Sequence, residues 1–348
     1  MGKTMRGGRL AGLTFAMVMA MVLGAQAALA EPTLEAVRKR GYLNCGIGSG
    51  GAGQNELTQQ GRWTGFYPDF CRAIAAAVLG KADAVEFVVT EWSSWMEAVL
   101  NGGVDVLVDG RTETLRRAAG QGVDFPTIYY YDGQGFLAHK SLAAHRLAEV
   151  TQASVCVDTG STSAENLRDL AKSSKPGLKV VVFDSFEGAL NGFFTRRCDL
   201  FSTDRLALVA IRAKRTPNAS EYVIFPDVVS KEPLGPVVRD NDPQWSDVIK
   251  WVVAATIAAE ELGLARDNIA EQRKAPRSPD VARFLGSESG NGKALGLAED
   301  WAYQVVAQIG NYAEIHDRNV GEGSSLKLDR GLNALWNRGG LLYASPLH

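Results

Sequence analysis

Short apolar runs alternate along the chain with stretches of helical period, and Gly, Pro or polar turns separate them. Leu34–Arg40 predicts a short helix and Tyr42–Ile47 a first strand. Gly48–Gly53 is permissive backbone, and the chain stays polar through Gln60. Trp63-Thr64-Gly65-Phe66 then leads into a predicted helix from Pro68 to Leu79, closed by Gly80. Val85–Val89 reads as a strand. Trp92, Trp95, Met96 and Val99 fall at i, i+3, i+4 and i+7, one apolar helical face that ends at Gly102 and predicts core packing for both tryptophans. Val104–Val108 is the next strand. Strand, helix, strand, helix, strand is the grammar of a parallel sheet, with ligands at the carboxyl ends of its strands.

A second unit of the same grammar follows Gly133-Gln134-Gly135. Ser154–Val157 predicts a strand, Ala164–Lys172 a helix, Val180–Phe183 a strand, Phe186–Arg196 a helix, Leu200–Ser202 a strand and Tyr222–Phe225 a last strand. Lys231–Pro236 is a stiff, bent crossing. Pro243 opens a long helix with Trp245, Val248, Ile249 and Val252 on one face, ending at Gly263. Lys274–Gly296, rich in Gly, Ser and charge, predicts loop. Trp301, Val305, Ile309 and Tyr312 predict one more helix, and Leu332–Trp336 closes a tail expected to pack on the first unit.

The first thirty residues stand outside this pattern. Lys3, Arg6 and Arg9 precede an apolar core at Leu10–Leu23, and Ala28-Leu29-Ala30 has the form of a cleavage site, so residues 1–30 predict a cleaved signal peptide and a periplasmic location. Removing them leaves 348 − 30 = 318 residues, enough for two lobes, with 37 − 3 = 34 Lys and Arg against 39 Asp and Glu, a net charge of −5. That balance gives no electrostatic case for nucleic acid. Four cysteines in an exported chain allow three pairings; pairing within each region, Cys45–Cys71 and Cys156–Cys198, is preferred because each cysteine adjoins an element of its own unit. The four histidines are scattered and no CxxC occurs, so no metal is expected, and Gly48–Gly53 is no phosphate loop because no helix follows it.

The candidate chemistry gathers at strand ends. Asp109-Gly110-Arg111 is a polar turn after the Val104 strand. Thr112 and Thr114 can each cap the helical turn that carries Arg116 and Arg117, so free N–H groups, the helix dipole and an arginine meet at one place suited to an anion. A solvated basic helix start accounts for the same residues. Asp158-Thr159-Gly160-Ser161-Thr162 makes a second such N-terminus. Asp204 either caps the helix beginning at Arg205 or faces an ammonium group. Together the pieces fit a free amino acid, with Arg117 and two helix N-termini on its carboxylate and Asp204 on its ammonium.

These residues resemble the polar-amino-acid periplasmic solute-binding proteins of ABC importers, the general L-amino-acid-binding subgroup most of all. The resemblance runs over essentially the whole mature chain and rests on Trp63-Thr64-Gly65, Cys71–Val78, Tyr130–Phe136, Ser230–Pro236, Gly310-Asn311-Tyr312 and Arg330–Asn337. It implies a type-2 periplasmic binding fold: two α/β lobes joined by two hinge crossings, with lobe 1 from 31–136 and 237–348, including a C-terminal helical extension, and lobe 2 from 137–236. It also implies a carboxylate grip at Thr112, Thr114 and Arg117, preferred over Arg116. Gly160-Ser161-Thr162 supplies further donors, and Asp204 faces the ammonium. The cysteines fall at the subgroup's positions, which favours the pairing above. The implied partners are a free amino acid and an inner-membrane ABC permease complex; no cofactor is implied, and a monomer is expected.

Three positions depart from that subgroup. Gln54 and Glu113 stand where aromatic residues are usual, and Asp158 where an uncharged polar residue is. Less apolar lining and two added carboxylates favour a basic or strongly polar ligand such as Arg, Lys or Gln, and disfavour Glu and Asp. No nucleophile elbow or HExxH occurs, so no enzyme activity is expected. A periplasmic dehydratase on the same fold, with Glu113 or Asp158 as acid or base, and a ligand sensor that docks to a receptor are the alternatives.

Overall fold

The computed structural model describes residues 1–2, 31–288 and 290–347; the expected leader lies, but for Met1 and Gly2, outside the described residues. After α1 (Thr33–Arg40) the chain enters the core as β1 (Leu43–Ile47). A hairpin of β2 (Glu56–Leu57) and β3 (Trp63–Thr64) precedes α2 (Phe66–Leu79). This helix is apolar on nearly every side, so it is buried almost along its whole length. Gly65 permits its start: at a φ of 131°, a Cβ there would stand 2.3 Å from the Gln54 carbonyl oxygen. β4 (Val85–Val89), α3 (Trp95–Leu100) and β5 (Val106–Leu107) complete a parallel sheet in the order β4–β1–β5. Trp95 lies in the core below it, but Trp92 stands before α3 and is only half-buried, which corrects its expected place in the core.

The chain continues through α4 (Leu115–Gly120), β6 (Val123–Asp124) and β7 (Tyr130–Asp132). It then forms a strand absent from the expected elements, β8 (Gln134–His139), every residue of it buried. Its composition, with Gly, Gln and His among Phe, Leu and Ala, hides it from a period-2 pattern, yet it lies inside the second sheet. β9 (Ala153–Asp158), α5 (Thr162–Ser173), β10 (Leu178–Phe183), α6 (Phe186–Phe194), β11 (Leu200–Asp204), α7 (Arg205–Lys214) and β12 (Tyr222–Ile224) complete that unit. The strand order is β10–β9–β11–β8–β12, parallel from β10 to β11 and antiparallel at β8 and β12. Apolar clusters lie on both faces of this sheet, with Phe136 and Val155 in one and Phe193 and Phe201 in the other.

Two short antiparallel ladders lie where the chain crosses between the units and where it re-enters the first. β13 (Glu232–Leu234) pairs with β7, bringing Glu232 opposite Asp132, and β14 (Val238–Arg239) pairs with β6. Cys45 on β1 is bonded to Cys71 on α2, and Cys156 on β9 to Cys198 just before β11, with Cα–Cα distances of 6.0 and 5.6 Å.

The C-terminal part returns to the first unit. α8 (Pro243–Glu261) is capped by Asp242, and its Trp245 Nε1 donates to the Asp105 carbonyl at 2.8 Å. α9 (Ile269–Lys274) follows, then α10 (Pro279–Phe284) and α11 (Asn291–Leu295), both within the segment expected as loop. Ser278 caps α10, and buried Val281 and Phe284 anchor it; helices this short carry no readable periodicity. The single helix expected near Trp301 is two, α12 (Trp301–Gln308) and α13 (Tyr312–Asn319). Gly310, at a φ of 103°, breaks the run, and Asn311 with Glu314 forms a capping box that restarts it. Tyr312 is buried in the first unit's core and donates its hydroxyl to the Tyr129 carbonyl at 2.7 Å, so the tail packs where expected.

Candidate functional site

The carboxyl ends of the two sheets face a cavity of about 780 Å³. Gly110, Arg111 and Thr112 line it from the first sheet; Asp158, Ser161, Thr162 and Asp204 line it from the second. Gln54 and Trp92 also reach it. Of the expected site residues, Glu113, Thr114 and Arg117 do not line it. Glu113 is half-buried, its main-chain N–H donates to the Pro233 carbonyl at 2.8 Å, and burial together with Asp124 raises its carboxyl pKa. The strand-end geometry therefore turns Glu113 off the wall that its neighbour Thr112 forms.

Arg117 stands behind the wall. Thr114 caps α4, accepting from the Arg117 main-chain N–H at 3.2 Å. The Arg117 guanidinium is 9 % exposed and gives Nη1 to the Thr112 carbonyl at 2.8 Å. Among the described residues nothing accepts from its Nε or Nη2, the pair that forms one bidentate edge. Burial and the neighbouring Arg111 lower its pKa, which Glu232, Glu165 and Asp204 partly offset. Arg116 points away, exposed and 4.0 Å from Glu165.

Arg111 is a fully buried guanidinium of the lining, where Arg215 also stands, held by Glu187. It pairs with Asp109 at 2.8 Å and lies 3.8 Å from the Trp92 ring centroid, which places Trp92 over a cation at the cavity rim. Its Nε and Nη1 are buried without an acceptor. Such a pairing of a turn arginine with a tryptophan nineteen positions earlier leaves no local signal in the sequence.

On the facing wall Ser161 caps α5: its hydroxyl donates to the Asp158 carbonyl at 2.8 Å and accepts from the Ala164 N–H at 3.1 Å. Thr162 and, across the cavity, Thr112 both donate to Glu232, at 2.9 and 2.6 Å. Asp204 makes no capping bond to α7. That service comes from Asp132, which accepts from the Gly133 and Leu206 N–H groups at 2.8 and 2.9 Å. Among the described residues no side chain or N–H donates to the Asp204 carboxylate, and burial, then Asp132, Glu232 and Asp158, raise its pKa well above the usual carboxylate range. Burial raises the Asp132 carboxyl as well. Asp158, only 4 % exposed, is pushed up by burial to about 6, against the opposing pull of Arg111. The wall thus holds acid that the protein itself leaves short of cations. Sequence reasoning missed Glu232, Asp132 and Trp92 as parts of this site. An acid directly before Pro233 in a crossing is the one signal that marks Glu232 in advance.

Two α/β units joined by a double crossing, with an electrostatically unbalanced cleft at their strand ends, define a two-lobed protein that encloses a small polar molecule. The chain belongs to the bacterial extracellular solute-binding proteins, family 3, whose model matches residues 44–267. It is 41 % identical over 329 residues to the general L-amino acid-binding periplasmic protein AapJ of Rhizobium johnstonii, covering 94 % of this chain and 96 % of that one. It is 40 % identical over 328 residues to the glutamate/glutamine/aspartate/asparagine-binding protein BztA of Rhodobacter capsulatus, with the same two coverages. Among solved structures, a periplasmic binding protein of an ABC transporter from Brucella ovis, with glutathione bound, superposes with a TM-score of 0.88 at 38 % identity, covering 91 % of this chain and 100 % of that one. These relatives are named as binding proteins, two of them as periplasmic, and no described helix is long and apolar enough to cross a membrane.

Proposed function

We propose that this protein captures an amino acid in the periplasm and delivers it to the permease complex of an ABC importer, working as a monomer without catalysis. The observation that carries this reading is Asp204, a carboxylate on the cavity wall with no donor among the described residues and an elevated pKa, which a bound ammonium group would relieve. Behind the Thr112 wall, the Nε and Nη2 of Arg117 have no acceptor among the described residues and are left for a carboxylate, and the start of α5 at Thr162 lines the same cavity. The names of the relatives support an amino acid as the ligand class. In this reading residues 31–136 with 237–348 and residues 137–236 are the lobes, and the crossings near Gly133–Gly135 and Glu232–Val238, beside the ladder β7/β13, are the hinge.

The uncompensated acid of Asp158 and Asp204 favours a basic or strongly polar side chain and excludes Glu and Asp; Asp158 rather than Glu113 supplies that selection. A second reading has support from the volume: 780 Å³ accommodates more than one amino acid, and the similar Brucella ovis structure holds glutathione. A thermal-shift screen of the twenty amino acids and glutathione tests both. A ligand at a hundred times its Kd adds about 2.7 kcal/mol of stability, and Arg117→Ala removes that gain. Leu or Glu as the best ligand overturns the selectivity; no response to any compound of the panel overturns the ligand class.

A further inference from the structure

Glu232 lies on the second crossing, 1 % exposed, and it receives four hydrogen bonds. Its Oε2 accepts from Thr112 Oγ1 at 2.6 Å and from Thr162 Oγ1 at 2.9 Å. Its Oε1 accepts from Ser230 Oγ at 2.6 Å and from Asn166 Nδ2 at 3.0 Å. Thr112 stands past the end of β5 and Thr162 opens α5, so one carboxylate joins both walls of the cavity to the hinge. A carboxylate has no hydrogen to give. Both threonine hydroxyl hydrogens therefore point at Glu232, and both oxygens turn lone pairs elsewhere. The two residues line the cavity, whereas Glu232 does not. Ser161, next to Thr162 in the lining, has its hydrogen on the Asp158 carbonyl. Two hydroxyls that in free rotation would serve as donor or acceptor are thus set as acceptors, in the lining that Asp158 and Asp204 share; the Ser161 oxygen is already taken in part by the Ala164 N–H.

We infer that Glu232 is a positioning residue for ligand capture: by fixing the Thr112 and Thr162 hydroxyls as acceptors it makes this part of the cleft a seat for a cationic amine and rejects an oxygen in place of that nitrogen. The inference rests on the amino-acid reading above and deepens it. An ammonium brings three hydrogens to this ring of acceptors, and a hydroxyl brings one and leaves the others facing bare lone pairs.

The substitution Glu232→Gln separates orientation from packing. Asn166 Nδ2 also serves Gln134 Oε1 at 3.0 Å, so it needs an acceptor at the Oε1 position of residue 232. The new amide nitrogen then takes the Oε2 position and gives its hydrogens to the two threonines, whose own hydrogens swing towards the cavity. The experiment is calorimetric titration of the full chain with L-arginine, L-lysine, L-glutamine and L-glutamate, and with the α-hydroxy acid of each. The wild type prefers its best amino acid over the matching hydroxy acid by about a hundredfold or more. Glu232→Gln narrows that ratio by about tenfold and leaves the melting temperature within a few degrees. An unchanged ratio, or equal weakening of both compounds, overturns the inference and leaves Glu232 a structural prop. If Glu232→Gln does not fold, Thr162→Ser and Thr162→Val replace it: the serine keeps the ratio and the valine lowers it, and a valine variant with the wild-type ratio overturns the inference. Failure of the amino-acid reading shows separately, as no binding of any amino acid by the wild type.

Discussion

Replacing Asp158 by Asn should stabilise the protein at neutral pH and weaken its grip on a cationic ligand. Asp158 is 4 % exposed, and burial lifts its carboxyl from 3.8 to about 6. The folded-state pKa lies above the unfolded one, so the native protein holds this proton more tightly. The resulting stability is fully present below about pH 4 and is lost as pH rises through about 6. Two pKa units at ~1.36 kcal/mol each set the cost of ionising Asp158 at neutral pH to about 3 kcal/mol as an upper bound. An amide of the same shape avoids that cost. Asp158→Asn should therefore gain about 1–3 kcal/mol at pH 7.5, read as a rise of several degrees in the melting temperature, and gain nothing at pH 4. Melting curves of both proteins from pH 4 to 8 provide the assay. A variant no more stable than the wild type at pH 7.5, or one with an equal gain at both ends of the range, would show that Asp158 carries no buried-charge cost. The same substitution should reduce affinity for L-arginine about tenfold or more, because the strain it relieves is the strain a ligand cation is proposed to relieve.

Trp92→Ala removes the ring over Arg111 at 3.8 Å and should cost about 1 kcal/mol in urea unfolding, the value of a half-exposed cation–π pair; a loss above about 3 kcal/mol is that of a core aromatic and would return Trp92 to the packing role its spacing suggests. Removing the Cys156–Cys198 bridge, whose sequence separation is 42, should cost about 4 kcal/mol, and removing Cys45–Cys71, with a separation of 26, slightly less. A loss under about 1 kcal/mol for either would contradict the chain-entropy account.

Much of the architecture was legible because local chemistry dictates it. Val85–Val89 and Val180–Phe183 are apolar runs with no helical period, and Gly80 closes its helix and Pro243 opens its own where expected. The β8 strand escaped because its burial comes from neighbours on both sides, β11 and β12, that lie sixty residues or more away in sequence, a separation visible in the pairs Phe201–Leu137 and Tyr222–His139. The split between α12 and α13 was carried by Gly310 and Asn311, residues present in the pattern but outweighed there by four spaced apolar positions.

By itself the sequence marked the helix starts after Thr114 and Ser161, since a cap depends on neighbours within a few turns of chain, and it left the pairing of the four cysteines to a preference among three. Tertiary structure alone decided which side chain meets which. It gave the Leu206 N–H to Asp132 and so left Asp204 without a donor. It turned Glu113 from the cavity and set Trp92 over Arg111. It brought Thr112 and Thr162, fifty positions apart in sequence, onto one oxygen of Glu232. The physical reason is that burial sets the protonation and donor direction of polar groups, and burial at a cleft is made by two units whose approach no local pattern encodes.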